Sequence, residues 1–296
     1  ELRYGENPHQ RAAAFEIPLS NAGILSAKKL QGKELSYNNI CDADAASEVA
    51  FSFNEPEICI VKHANPCGIA TGETIEQAYE DALKCDSRSA FGGIVASNCM
   101  VTAKLAELMK AMFFEVIIAP AFSKEALEIF SKKANLRLLE TPDFKISKGI
   151  MLKQISGGVL MQDIDSKIME AKDLTPVSGS FDKIEDLLFS FNCVKFFKSN
   201  AIIITSGTKL ISYGCGQTSR VDAMEIACKK LEASGVDPST CILSSDAFFP
   251  FTDNLSLAKK YGINTIIAPN GSIKDEEVKD FAKQQNINLI FTNTRH

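Results

Sequence analysis

A chain of 296 residues, 45% of them hydrophobic, is long enough to bury one large core or two smaller ones. Its net charge of −5 argues against nonspecific nucleic-acid binding, and no run of about eighteen apolar residues marks a membrane span. Nine cysteines, with no pair spaced Cys-x-x-Cys, supply neither a zinc nor a disulfide framework and read as small core residues in a reducing cytoplasm.

In chain order, the segment up to about residue 39 reads as irregular and rich in polar turns. Residues 42–53 then predict a helix with alanines on its buried side, and 57–61 a strand. A helix follows over 74–85, with Thr74 as N-cap and Glu76 in the first turn. Strand 92–96, helix 102–112, strand 116–119, helix 124–134 and strand 136–139 complete the first half. A Lys-rich, Gly-containing stretch between 146 and 165 interrupts the rhythm and predicts a boundary, with domains at 1–165 and 166–296. The second half repeats the pattern: helix 184–197, strands 201–205 and 209–213, helix 220–233, strand 241–244, helix 254–261, strand 265–268, helix 275–284 and strand 288–291. Helices alternating with short apolar strands predict an α/β fold with much parallel pairing, in two similar subdomains.

Within "VKHANPCGIA", residues 61–70, a strand surfaces at Lys62-His63 before a Pro-Cys-Gly corner. Zinc deaminases need His-x-Glu and Pro-Cys-x-x-Cys. Here Asn65 replaces the glutamate, and Ala70 stands where the second cysteine would be, so no tetrahedral site assembles. Cys67 as a nucleophile would need an orienting base in space, which proximity in sequence to His63 does not supply; it reads as a small turn residue. Lys62 and His63 read as a charge-and-base pair, the ammonium favouring the neutral imidazole and a developing oxyanion. The plain alternative is an exposed Lys-His at a strand end.

Three other stretches carry polar groups in unusual density. "RYGENPHQ", residues 3–10, offers a forked Arg3 and the Tyr4 hydroxyl, or equally a solvated terminus. "SYGCGQTSR", residues 212–220, ends a strand and opens a helix, where Gly214 and Gly216 permit close backbone approach and Thr218 and Ser219 offer capping or anion contacts. "SAFGGIVAS", residues 89–97, is a similar glycine corner. "SDAFFPFTDN", residues 245–254, sets Asp246, three phenylalanines and Asp253 at a strand end, as core or as the wall of a flat-ring pocket.

Taken together, "LRYGENPHQ", "KHANPCG", "SAFGGIVAS", "GQTSRVDA", "SDAFFPFTDN" and the final "TNTRH" resemble, in order, the signature regions of the AICAR transformylase part of the bifunctional purine-biosynthesis family. The resemblance implies formyl transfer from 10-formyltetrahydrofolate to the 5-amino group of AICAR. It also implies two tandem cytidine-deaminase-like three-layer subdomains without zinc, no catalytic metal, a monovalent cation near Asp246, and a cytoplasmic homodimer with active sites at the interface.

Position by position, it matches His63 to the proton acceptor and Lys62 to the transition-state stabiliser. Arg3, Tyr4, Asn200, Arg220, Phe248 and Arg295 match the AICAR site, and Asp253, Val221, Ser272 and Ile273 the folate side. The family's linked IMP cyclohydrolase domain has no counterpart in these residues, so ring closure to IMP is not expected from this chain alone. The family's Arg-x-Phe-x-His ending is here Arg295-His296, and Thr252 stands where the family often has Arg. The rival readings are a deaminase or amidohydrolase acting on a purine precursor, and a nucleotide- or folate-binding fragment without turnover.

Overall fold

The computed structural model describes residues 1–16, 22–146 and 148–296. Residues 17–21 of the opening segment and residue 147 at the predicted boundary lie outside the described residues. The first half contains Lys28–Gln31 (β1), Tyr37–Ala50 (α1), Glu57–Lys62 (β2), Asn65–Thr71 (β3), Ile75–Cys85 (α2), Ser87–Ala90 (α3), Gly93–Ser97 (β4), Ala103–Met109 (α4), Phe114–Ala119 (β5), Lys124–Ser131 (α5) and Arg137–Glu140 (β6). After the hairpin Ile150–Ile155 (β7) and Gly158–Asp163 (β8) come Leu174–Ser178 (β9), Ile184–Val194 (α6), Ile202–Ser206 (β10), Lys209–Gly214 (β11) and Arg220–Ser234 (α7). Ile242–Ser245 (β12), Asp253–Lys260 (α8), Thr265–Pro269 (β13), Asp275–Gln284 (α9) and Asn288–Thr292 (β14) finish the chain.

Among the described residues, twelve strands form one sheet in the order β1-β6-β5-β4-β2-β3-β11-β10-β12-β13-β14-β9. Read outwards from the centre, the two sides repeat: β3-β2-β4-β5-β6-β1 on one, β11-β10-β12-β13-β14-β9 on the other. Between the strands of this sheet, parallel pairing is confined to β4-β5-β6 and β12-β13-β14. The expected parallel pairing is present but limited to these two sets of three strands, because β2-β3 and β10-β11 are tight antiparallel hairpins and short loops cannot join parallel neighbours. The two sides meet antiparallel where Ala70 pairs with Lys209.

Alternation along the buried strands sends side chains to both faces. On one face Cys59, Val61, Ile203 and Ile267 pack with α1 and α6 in a single core that crosses the sheet centre. On the other, Ile58 and Ile60 pack under α2, α4 and α5, while Ile202 and Ile204 pack under α7, α8 and α9, in two separate cores. Complete burial of each such side chain contributes about 1.5–3 kcal/mol. The result is three layers.

Several sequence expectations change. The opening is not irregular to residue 39: β1 pairs with β6, and α1 begins at Tyr37, five residues before the expected 42. Ser36 accepts the Asn39 amide while the Asn39 side chain accepts from Ser36. This is a capping box with Asn in place of the usual Glu or Gln, which hid the start. Cys67 is no turn residue. It lies within β3 and is 2% exposed, and the turn is the His63-Ala64 pair between Lys62 and Asn65. The interrupting stretch is itself ordered, as β7 and β8 pair antiparallel with every residue exposed.

Glu57, at the start of β2, is fully buried, and neither carboxyl oxygen has a hydrogen-bond partner among the described residues. Burial, with a smaller contribution from the charge on Glu55, holds its carboxyl well above the ordinary 4.5.

Two glycines set the spacing between layers at matching places. A Cβ on Gly68 of β3 would lie 2.2 Å from the Ala82 carbonyl oxygen of α2, and one on Gly214 of β11 would lie 2.0 Å from that of Ala223 in α7. Gly214→Ala is expected to cost about 1–3 kcal/mol, as overpacking does. Gly158→Ala, where the added Cβ meets nothing within 4 Å, serves as the control. Urea unfolding midpoints would check this, and equal midpoints would refute the close-packing argument.

Candidate functional site

The register of the sheet gathers the candidate residues other than Arg3 and Tyr4 at one end of it. The carboxyl ends of β2 and β11 and the amino ends of β3, β4 and β10 lie together there, because each of these neighbours runs antiparallel. β12, β13 and β14 run parallel to one another and also end there. Lys62 ends β2 and His63 follows it, Asn200 precedes β10, and Arg220 and Val221 open α7 after β11. Phe248 and Asp253 follow β12, Ser272 and Ile273 follow β13, and Arg295 follows β14. Strand carboxyl ends are where open α/β sheets place ligands.

A cavity of about 420 Å³ opens at this end, lined by Lys62, His63, Asn65, Cys67, Ser89, Lys198, Tyr213, Cys215 and Gly216. It therefore unites the "KHANPCG" and "SYGCG" stretches from the two sides of the sheet. Lys62, His63 and Lys198 are among its lining residues and no carboxylate is, which favours an anionic ligand. A larger cavity of about 670 Å³ lies at the opposite end, around Pro56, Thr71 and Lys209, and holds none of the candidates.

His63 and Ala64 form a two-residue hairpin turn with φ of 53° and 55°. Such a turn wants positive φ at both positions and usually takes Asn-Gly. Two residues carrying a Cβ there cost roughly 1–2 kcal/mol each. The turn is held from outside: the Ala64 amide donates to Asp42 Oδ1 at 2.8 Å, and Asn65 Nδ2 donates to the His63 carbonyl at 2.8 Å. Its imidazole is left exposed at the cavity.

Lys62 is fixed differently. Its Nζ donates to the carbonyls of Phe91 and Gly92, at 3.2 and 2.9 Å. The "SAFGG" corner is thus a seat for the ammonium, with Gly92 at φ 69°. Two of three N–H groups are used, and one remains for a ligand.

Cys67 is chemically quiet. Burial, and secondarily the charge of Asp86, pushes its thiol up to about 12.

Arg220, Asn200 and Asp246 form a buried lock. Arg220 pairs with Asp246, their side chains 11% and 3% exposed. It also donates to Ser245 Oγ at 2.9 Å and to Asn200 Oδ1 at 2.8 Å. Asp246 further accepts from the Ala201 amide at 3.1 Å and from the Ser199 hydroxyl. Asn200 Nδ2 reaches the Gln217 carbonyl at 2.9 Å, beside Gly216 of the cavity. Among the described residues, these contacts leave Arg220 Nε–H and one Nη2–H without a protein acceptor, a short fork of spare donors. They do not fit a monovalent cation at Asp246, whose charge Arg220 already matches. Nor do the described residues contain a group of three His, Cys, Asp or Glu placed to hold a metal ion.

The other candidates stand apart from the cavity lining. Arg3 lies 5.5 Å over the Tyr4 ring, and their segment is tied to α1 by Asn38 Nδ2 donating to the Glu6 carbonyl at 3.2 Å. Of the three phenylalanines, Phe249 is core, Phe248 half-buried and Phe251 59% exposed. Asp253 and Arg295 are exposed, Val221 half-buried, and Ile273 wholly exposed on a loop where Asp275 accepts the Gly271 and Ser272 amides. Ser219 occupies the N-cap of α7 without a side-chain bond. Gly214 serves packing against α7 rather than approach to a ligand. Sequence reasoning missed the bracing role of Asn65, which is local to the hairpin, and it missed Asp42, Lys198 and Tyr213, whose nearness to the His63 turn or to the cavity comes only from pairing across the fold.

The AICARFT/IMPCHase bienzyme family matches residues 1–230. The bifunctional purine biosynthesis protein PurH of Persephonella marina is 45% identical over 100% of this chain and 58% of its own length. The PurH proteins of Aquifex aeolicus and Caulobacter vibrioides are 42% and 44% identical over 100% and 99% of this chain, and 58% and 57% of their own lengths. The chain thus spans somewhat under three-fifths of these curated relatives, and it belongs to the AICARFT/IMPCHase bienzyme family.

If burial silences Cys67, iodoacetamide at pH 8 should label exposed Cys41 and leave Cys67 unmodified in the native chain. The Cys67 thiolate fraction at that pH is about 10⁻⁴. Peptide mass mapping reads the result, and prompt Cys67 labelling would restore it as a nucleophile.

Proposed function

We propose that this chain transfers a formyl group from 10-formyltetrahydrofolate to the 5-amino group of AICAR, giving formyl-AICAR and tetrahydrofolate in purine biosynthesis. The observation that carries this reading is the pairing of a seated Lys62 ammonium with an exposed His63 in one cation-lined cavity.

The amine lone pair, delocalised into the ring, attacks the formyl carbon, and the carbonyl electrons move to oxygen. His63 takes the proton released from nitrogen, while the free N–H of Lys62 faces the oxyanion. Collapse breaks the bond from carbon to N10, and the proton passes to that nitrogen. A placed base contributes about 10²–10⁴-fold, and holding both substrates together adds an entropic gain.

In this reading the Arg220 fork, Asn200, Arg3, Tyr4, Phe248 and Arg295 bind the nucleotide. Asp253, Val221, Ser272 and the exposed Ile273 meet the folate. The repeated strand order supports two tandem cytidine-deaminase-like subdomains, at 1–165 and 166–296. Nine free thiols suit a reducing cytoplasm, and no helix among the described residues is long and apolar enough to cross a membrane. The relatives' additional length is where a linked IMP cyclohydrolase domain would lie.

A homodimer belongs to the same reading. On one face of the β7-β8 hairpin stand Ile150, Leu152, Val159 and Met161, and on the other Met151, Ile155 and Leu160, all of them exposed. A two-stranded ribbon is marginal alone, and so large an apolar surface marks an interaction site. A second copy would cover it.

Formyl transfer measured with AICAR and 10-formyltetrahydrofolate should be present in the wild type and fall about 10²–10⁴-fold in His63→Ala, with unchanged unfolding. Wild-type turnover in that variant would remove His63 from the mechanism. Leu152→Asp with Met161→Asp should shift the chain to a monomer in sedimentation and lower transfer at least about tenfold. An intact dimer would exclude the hairpin from the interface.

A further inference from the structure

The residue that presents His63 lies outside the motif that contains it. His63-Ala64 occupies a left-handed turn that two side chains with a Cβ do not adopt readily. Asn65 braces it from within the hairpin, but Asp42 braces it from another element, 22 residues away, through the 2.8 Å bond from the Ala64 amide. A carboxylate accepting a backbone amide makes one of the stronger hydrogen bonds. Asp42 also lies one helical turn from Asn38, which ties down the segment bearing Arg3 and Tyr4, so both attachments share one face of α1.

Resting on the formyl-transfer reading above, we propose that Asp42 is a positioning residue, which clasps the Ala64 amide and thereby holds the His63 turn in the conformation that presents the imidazole to the cavity. Asp42 touches no substrate in this assignment. It acts through the turn, and α1 sets the distance between the base and the Arg3-Tyr4 segment.

The test uses Asp42→Ala, Asp42→Asn and the double variant Asp42→Ala with Ala64→Gly in the full chain. Asp42→Ala should lower kcat about 10–100-fold, the scale of a small misplacement of reacting groups, with KM for both substrates within about threefold. Asp42→Asn retains an acceptor oxygen and should keep at least roughly half the wild-type rate. Ala64→Gly relieves the left-handed turn of its Cβ and should recover about fivefold or more of the rate lost in Asp42→Ala.

Amide hydrogen exchange gives a readout independent of turnover: Ala64 should exchange at least about tenfold faster in Asp42→Ala, with the buried strands unchanged. A kcat within twofold of wild type in Asp42→Ala, equal impairment in Asp42→Asn, or an unaltered Ala64 exchange rate would each overturn the assignment. Should Asp42→Ala not fold, the Asp42→Asn rate and the double variant decide in the same way. A wild-type chain without formyl transfer would instead refute the parent reading, and Ala64 exchange would still decide whether Asp42 holds the turn.

Discussion

Everything at the candidate site depends on the antiparallel meeting of β3 and β11 at the centre of the sheet. Because these strands run in opposite directions, the start of one lies beside the end of the other. The hairpin that carries Lys62 and His63 is thereby brought against the glycine corner that opens α7, and neither would form a cavity alone. The core beneath α1 and α6 runs unbroken across this seam, so packing that stabilises the fold also fixes the two walls of the cavity relative to each other.

Three physical devices then hold the polar groups. Lys62 is seated by backbone carbonyls, which satisfy most of its donors while leaving its charge uncompensated by any acid in the cavity lining. His63 is displayed by a strained turn that other residues brace. Arg220 is immobilised by a buried carboxylate and a set of neutral partners. Breaking such a buried pair typically costs about 3–5 kcal/mol, so the Arg220 lock serves the stability of the fold as much as any ligand. Preorganised charge of this kind avoids reorganisation when substrate charge develops.

The sequence was most legible where local chemistry dominates. Thr74 caps α2 through the Gln77 amide, α9 spans the expected 275–284, and the apolar runs of β2, β10 and β13 declared themselves as strands. β3 was hidden because Pro66 and Gly68 resemble a corner, yet Pro66 sits near the strand start beside a register shift, where a missing N–H is tolerated. The paired glycines were visible, but their contact with α2 and α7 was not. At the site, Lys62 and His63 could be singled out by residue type and position. Asp42 and the Phe91-Gly92 seat are 22 and about 30 residues away, and no periodicity in a sequence announces such contacts.

The buried Glu57, whose carboxyl has no partner among the described residues, couples the fold to solvent acidity. Its carboxyl holds a proton more tightly in the folded chain than in the unfolded one, where its value is the ordinary 4.5. Below that value both states carry the proton and Glu57 adds no pH dependence. As pH rises above it, the unfolded chain releases the proton first, so folding between the two values takes up a proton and the folded state loses ground until its own, higher value is passed. One glutamate in the core thus sets a slope against alkali that the rest of the sheet must outweigh.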